Sequence, residues 1–500
     1  MHVKRLPSDV IIVIMQYLSA RDLAALSETC TYAHSLVSVC NRQSTGVDFT
    51  CTSQVSEFGW SLLARQTSPS SCSLSKSLMT WPPNAQVRYH TITDRNWAKH
   101  QFVARPVARK WMGKLQPALA INRSRLLVGA GNTIYSYAFA VAKPGEAPGV
   151  VFEGAYTTSH RLQAHRDITS MASVEDGGRD ETLYVGFADG ALERVTLPLS
   201  EPRKHDQNVH IDPLHREGNY FHGDDIVESV SSAGNYVLSL SSSGTAVFMN
   251  LSSAEPVPQF LELDSRGWST YLSARSSTPY AVFGTSSMNP LSVHDIHAAG
   301  LSPNPSAILA SGASDERPKP SAVYGIAGAP PSSPWGHSDQ IIVSGWYDGP
   351  VRVHDLRSSK RAYSTDPCCP APLLPVLSVF DPWLFEPNYS VSCGGGASSY
   401  IAAGTARHSV VALWDVRNPS AGWSVHAPGN DSSPVYSVIL EGSRLFGATQ
   451  SRPFVLDFGP DVREDTYPVL KFSNARDEEG LKKRDRTGIG FYVTRYDHSR

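Results

Sequence analysis

The densest run of side chains able to bind a metal or move a proton is His205, Asp206, His210, Asp212, His215, His222, Asp224 and Asp225. Imidazoles with carboxylates are donors for zinc and other transition metals. Their separations match no compact ligand pattern, so the segment reads as a long polar loop, and neither a metal nor a cofactor is expected. Cys393-Gly394-Gly395-Gly396 has the glycine content of a phosphate cradle. No Gly-Lys-Ser/Thr follows it and no helix opens there, so a hairpin linker explains it better. Adjacent Cys368 and Cys369 lie among prolines, a poor setting for a bridge or a metal. The signatures of serine hydrolases, zinc proteases and kinases do not occur. No catalytic residue is nominated, and the chain is expected to recognise rather than react.

Composition agrees with a recognition protein. Hydrophobic residues make up 41% of the 500, charged residues 18%, and the net charge is -2. That balance gives no global attraction to nucleic acid or an anionic membrane. Gly (37) and Pro (35) are generous, as many strands and turns require. Seven cysteines without a CxxC suggest reduced, buried thiols. The apolar stretch Val10 to Met15 is too short to span a bilayer and no small-residue cleavage pattern follows it, so a soluble chain of the cytoplasm or nucleus is expected.

Two further polar patterns stand out. Arg95, Trp97, Lys99, His100, Arg105, Arg109, Lys110, Trp111 and Lys114 interleave bases with tryptophans. Such a segment is either a nucleic-acid or phosphopeptide surface, or a connector anchored by its tryptophans with solvated charges. The neutral overall charge favours the connector. His354-Asp355-Leu356-Arg357 and Trp414-Asp415-Val416-Arg417 each place an arginine two residues after an aspartate. Pairing with local carboxylates or carbonyls is the simplest role for such arginines.

At the N-terminus, Leu6-Pro7-Ser8-Asp9 opens a helix, with Ser8 as cap and Asp9 at the positive end of the dipole. Val10, Ile11, Ile14, Tyr17 and Leu18 form a stripe at helical period. Ser19-Ala20-Arg21-Asp22 starts a second helix carrying Leu23, Leu26 and Cys30, and Tyr32, Leu36 and Val39 mark a third. Three short amphipathic helices in about forty residues cannot bury all their apolar faces alone, which implies a partner. Leu6-Pro7, Val10-Ile11, Ile14, Leu18, Asp22-Leu23, Leu26 and Cys30 resemble the F-box in order and spacing, with Ala33 where F-boxes commonly carry tryptophan. The resemblance implies that Leu6, Pro7, Val10, Ile11, Ile14, Leu18, Leu23 and Leu26 pack against a Skp-type adaptor, and through it engage a cullin.

From residue 115 a unit repeats: an apolar strand ending in a small residue, a tight turn, and a second alternating strand. Leu183-Tyr184-Val185-Gly186 leads through Asp189-Gly190 to Leu192; Ile341-Ile342-Val343-Ser344 leads through Asp348-Gly349 to Val351; Ile401-Ala402-Ala403-Gly404 leads through Arg407-His408 to Val410. Turn glycines accept positive φ, as tight hairpins require. The period is roughly 45–60 residues and predicts about seven units. The repeat resembles degenerate WD-repeat β-propellers, with Trp414-Asp415 as the literal WD pair and His294-Asp295, His354-Asp355 and Leu456-Asp457 in equivalent places. In propeller receptors of cullin-4-type ligases, an arginine after such a pair meets the large adaptor, which would give Asp355, Arg357, Asp415 and Arg417 that role.

The expected fold is therefore mainly β: a three-helix F-box-like module (1–45), a linker and connector with a Ser-rich loop (46–114), a WD-repeat-like β-propeller (115–460), and a tail (461–500) with an alternating run from Phe491 to Tyr496 as a ring-closing candidate. The whole resembles F-box/WD-repeat proteins of the dactylin type. It implies a non-catalytic substrate receptor of a Skp–cullin–F-box (SCF) ubiquitin ligase with an unknown protein substrate and no nucleic acid or membrane partner. A scaffold without a ligase role and a cullin-4-type receptor are the alternatives. Trp268, Tyr271, Trp346 and Tyr347 are candidates for recognition, or equally for filling the core.

Overall fold

The computed structural model describes residues 72–81, 83–158, 166–198, 215–253, 256–312, 319–330, 338–362, 370–396, 398–429, 431–470, 481 and 483–499. The F-box-like residues Leu6 to Cys30, the acid-and-histidine run from His205 to Asp212, and Cys368 and Cys369 lie outside the described residues. Among the described residues two α-helices, α1 (Leu74–Leu78) and α2 (Pro83–Ala98), precede a series of elements that are nearly all strands. No helix among the described residues is long and apolar enough to cross a membrane.

The strands form seven antiparallel meanders. Sheet 1 begins at Ala118–Ile121, sheet 2 at Ile168–Ser173, sheet 3 at Val227–Ala233 and sheet 4 at Gly267–Ser273. Sheet 5 begins at Ser321–Gly328, sheet 6 at Asn388–Gly394 and sheet 7 at Val435–Glu441. Sheets 4 and 5 also touch edge to edge through the pairs Ser286–Ala322 and Ser287–Ser321. In each sheet the first strand pairs with the second and the second with the third, as the hairpin turns dictate. The first strand of every sheet packs against the first strand of the next, and that of sheet 7 packs against sheet 1. The seven meanders thus close a ring.

What holds the ring is the alternation of each strand. One face of a sheet meets the sheet before it and the other meets the sheet after, so both faces are apolar. Seven hydrophobic clusters fill the seven junctions. Leu127, Ile134, Leu183 and Val185 lie between sheets 1 and 2, and Leu238, Phe248, Ala281 and Phe283 between sheets 3 and 4. Phe446 and Val455 meet Leu126 and Val128 where the last sheet reaches the first. A fully buried side chain of this kind contributes about 1.5–3 kcal/mol.

Closure uses the segment read above as a connector. Val103–Pro106 is the outer strand of sheet 7, pairing Val103 with Asp457 and Pro106 with Phe454. Pro106 ends this edge strand, a position where its missing N–H is tolerated. The C-terminal strand, Arg495–Asp497, joins sheet 6 instead, pairing Val425 with Arg495 and Trp423 with Asp497. It is pinned by Asp381, whose carboxylate accepts hydrogen bonds from Ser424 Oγ (2.6 Å) and Tyr496 OH (2.7 Å). With the outer edge of sheet 7 already taken, the edge of sheet 6 is where that strand finds a partner.

Helix α2 fixes the closing strand in place. Trp97 is fully buried, stacked on Phe458 at 3.6 Å and tilted against Tyr400 at 4.4 Å. Tyr89 bonds Ser443 through its hydroxyl at 2.7 Å, and Asn96 Nδ2 donates to the Phe458 carbonyl at 2.9 Å. Arg95, Lys99, Arg109, Lys110 and Lys114 are exposed while Trp97 is the anchor, the geometry of an anchored connector; Arg105 departs from it, buried and donating from Nη1 to the Glu464 carbonyl at 2.7 Å. The glycines after Cys393 press on the same anchor: a Cβ on Gly395 would stand 2.8 Å from the Trp97 ring.

Near the centre the small residue ending the second strand has a steric cause. A Cβ on Gly186 would lie 2.5 Å from Ser170 Oγ and 2.6 Å from Val227 of the next sheet. One on Gly404 would lie 2.5 Å from the Val435 carbonyl and 2.6 Å from Ser390 Oγ. Backbone carbonyls cannot give way, so Gly404→Ala is expected to cost about 1–3 kcal/mol. Gly218→Ala, on an exposed strand where the nearest atom, of Glu193, stands at an ordinary contact distance of 3.4 Å, should be near neutral. Urea midpoints of the two variants check the difference.

Candidate functional site

The first strands converge on a central cavity of about 270 Å³ that all seven sheets line. In six of them the pairing skips one residue where the strand begins: Thr169, Glu228, Trp268, Tyr324, Tyr389 and Tyr436. Pro117, just ahead of Ala118–Gly129, stands in the corresponding place in sheet 1. A β-bulge leaves one residue outside the ladder and re-aims its side chain. Repeated around the ring, it lines the cavity with the bulged residues.

Four successive bulges are aromatic and touch in series. The rings of Trp268 and Tyr324 meet edge to face at 4.7 Å, Tyr324 stacks on Tyr389 at 5.2 Å, and Tyr389 tilts against Tyr436 at 5.8 Å. Tyr347, 57% exposed, adds its ring 6.2 Å from Tyr324. Trp268 is oriented by donation from Nε1 to Ser286 Oγ at 2.6 Å. Burial, then the neighbouring tyrosines, raises the Tyr324 hydroxyl above its ordinary pKa, and burial does the same for Tyr436. Both therefore stay neutral near pH 7, as hydrogen-bond donors with intact π faces.

At one end of this crescent stands Glu228. Its carboxylate accepts from Arg266 Nη2 at 2.9 Å, and the Arg266 guanidinium lies 4.0 Å over the Trp268 ring. Burial pushes the Glu228 carboxyl up, and Arg266 opposes that. Among the described lining residues Glu228 is the one carboxylate, and none is Lys, Arg or His.

Of the aromatic residues singled out in the sequence, Trp268 and Tyr347 stand in this crescent. Trp346 is a core filler, fully buried beneath Arg352. Tyr271 packs between sheets 4 and 5. Tyr324, Tyr389 and Tyr436 escaped the sequence reading. Their signal is positional: Val323-Tyr324-Gly325, Asn388-Tyr389-Ser390 and Val435-Tyr436-Ser437 align with Gly267-Trp268-Ser269 once the repeats are superposed by register.

Elsewhere the candidates for chemistry resolve into local structure. His222 is buried, bonded to Ser239 Oγ at 2.8 Å and driven down to about 4 by burial. Among the described residues no group of three His, Cys, Asp or Glu is placed to hold a metal ion. The half-buried Cys393 thiol is pushed up by desolvation, the reverse of what a nucleophile needs. Arg357 forks onto Asp355 with Nε and Nη2 both at 2.8 Å, and Arg417 grips Asp415 with Nη2 at 2.6 Å. Each guanidinium is thus engaged by the carboxylate two residues before it.

Comparison with known families finds the F-box domain at residues 3–44. No curated protein matches the chain. F-box domains typically bind Skp adaptors and thereby cullins, so the match implies a general role in substrate recognition by SCF-type ubiquitin ligases.

The arginines differ sharply in what surrounds them. Arg357→Ala or Arg417→Ala removes a half-exposed pair and should shift stability by less than about 1 kcal/mol. Arg352, nearly buried, forks onto Asp348 and covers Trp346, so Arg352→Ala should cost about 2 kcal/mol or more. Chemical unfolding of the three variants tests the ranking.

Proposed function

We propose that this chain is the substrate-recognition subunit of an SCF-type ubiquitin ligase, and that its ring of sheets is a seven-bladed WD-repeat-type β-propeller that holds the substrate. The F-box match at residues 3–44 carries the reading. It spans the stripe Leu6, Pro7, Val10, Ile11, Ile14, Leu18, Leu23 and Leu26, which supplies the apolar contact with a Skp-type adaptor. The propeller reading is supported by seven antiparallel sheets of four or five strands, by a hydrophobic cluster at each junction, and by closure of the last sheet on the first. In that reading the chain itself catalyses nothing. It acts in the cytoplasm or nucleus by raising the local concentration of a bound protein near a ubiquitin-charged enzyme held elsewhere in the assembly. In that reading the chain resembles F-box/WD-repeat proteins of the dactylin type.

A second reading, a cullin-4-type receptor, draws on the matching forks Asp355–Arg357 and Asp415–Arg417 at the ends of the third strands of adjacent sheets. Both forks close on themselves, which favours the first reading.

Co-purification distinguishes the two. Two aspartates in the apolar stripe, Ile11→Asp with Ile14→Asp, should remove roughly 3 kcal/mol or more of contact energy, over a hundredfold in affinity. The Skp-type adaptor should be lost from a pull-down while the melting curve of the ring is unchanged. Retention of the adaptor by this double variant would sink the SCF assignment. Loss of a large cullin-4-type adaptor from Arg357→Ala with Arg417→Ala would establish the second reading in its place.

A further inference from the structure

We infer that the aromatic crescent at the centre of the ring is a binding site for a basic side chain, an arginine or lysine presented by an extended segment of the partner protein. The inference rests on the reading of the ring as the substrate-holding part, and it names the substrate's chemistry.

Three observations converge on it. First, Trp268, Tyr324, Tyr389 and Tyr436 are consecutive bulge residues whose rings form one continuous surface. A bulge in six of the seven first strands is a repeated departure from regular pairing, and each one spends a ladder position to present a side chain inward. A core filler has no need of this, because the junction clusters are already complete without these residues. Second, the charged side chain among the described lining residues is an acid, paired with Arg266 at its outer end. It is Glu228, and no described lining residue is basic. The exposed bases Arg109, Lys110 and Lys114 belong to the segment that runs along the turn of sheet 7 toward sheet 1, well away in ring order from Glu228 in sheet 3.

Third, the site already holds a cation of its own chain. The Arg266 guanidinium lies 4.0 Å over the Trp268 ring and donates to Glu228 at 2.9 Å, so a cation occupies the end of the crescent that carries both an indole face and a carboxylate. Its side chain is half exposed, which leaves it free to swing out to water. An incoming guanidinium or ammonium gains the same pair of contacts and, beyond them, the faces of Tyr324 and Tyr389. Arg266 thereby acts as an internal competitor. It keeps Glu228 neutralised in the empty site and yields it on binding. The Tyr324 and Tyr436 hydroxyls, kept protonated by burial, bring no charge of their own to the site.

A positional-scanning library of nine-residue peptides, each pool with one fixed central residue, applied to the immobilised full-length chain tests this directly. Pools fixed with arginine or lysine should be retained over those fixed with alanine, proline, glutamate or phosphoserine. Preference for an acidic, phosphorylated or proline pool, or no retention at all, overturns the inference. The best retained basic peptide is then titrated by fluorescence anisotropy. Tyr324→Ala with Tyr389→Ala should weaken it by about tenfold. Glu228→Gln should weaken it by about fivefold through the lost charge-assisted contact. Arg266→Ala should strengthen binding by about threefold, a gain that a merely structural role for Arg266 cannot give. Unchanged affinity in the tyrosine pair, or weaker binding in Arg266→Ala with an unaltered melting curve, refutes the mechanism. The peptide readout needs no adaptor, so failure of the F-box contact leaves it intact. Conversely, these variants should still co-purify the Skp-type adaptor.

Discussion

The ring is governed by how closely the second strand of one sheet can approach the first strand of the next. Twisted sheets that converge on an axis crowd one another at the centre, and there Gly186, Gly284 and Gly404 leave no room even for a methyl group. The same crossing solves a polar problem. A bulge releases one carbonyl from its ladder, and the neighbouring sheet satisfies it. Val227 accepts from Thr169 Oγ1 at 2.5 Å, Val323 from Ser269 Oγ at 2.9 Å, and Val435 from Ser390 Oγ at 3.3 Å. Between sheets 5 and 6 Gly325 replaces the serine, and backbone lies against backbone, with Ser390 Cα 3.0 Å from where a Cβ would be. At the seam, the Leu119 N–H donates to Ser437 Oγ at 3.3 Å.

Stability and recognition therefore share one device. In three sheets the carbonyl just before the bulge residue ties that sheet to its predecessor, and the bulge residue itself lines the cavity. Because the tie is backbone and small hydroxyl, the cavity-facing side chain is left free to vary except in sheet 2, where Thr169 itself shares the tie with Ser170. Around the ring it is proline, threonine, glutamate, tryptophan and then three tyrosines. A scaffold of this kind fixes the positions from which side chains are presented without dictating their chemistry. That division explains why the aromatic half and the small half of the cavity coexist on one repeated frame.

Much of the ring was legible in the sequence because its repeat is local. Each apolar run, small residue and turn glycine lies within one hairpin, and hairpins announce themselves at short range. The N-terminal F-box pattern is equally local and was read from the spacing of Leu6 to Cys30. What escaped is long-range. Val103–Pro106 holds only four residues, with an arginine and a proline among them, and nothing nearby announces that its partner is Pro453–Asp457. The crescent escaped for a different reason. A one-residue bulge does not disturb the apolar content of a strand, so Tyr324, Tyr389 and Tyr436 look like ordinary alternating residues until register is known. The destination of the C-terminal strand was likewise a matter of which edge remained open.

The seam has a consequence in time. The strand that seals the last sheet is made before the first sheet, and its partner Pro453–Asp457 is made after every other meander. On a ribosome adding about 5–20 residues each second, the early strand waits on the order of tens of seconds for the edge that will receive it. Through that interval the nascent ring is an open arc with two raw edges and an unfilled junction where Leu126 and Val128 await Phe446 and Val455. Birth of this protein thus includes a vulnerable window that ends only when its two distant segments clasp. A chain released short of the seventh sheet would keep that window open for good.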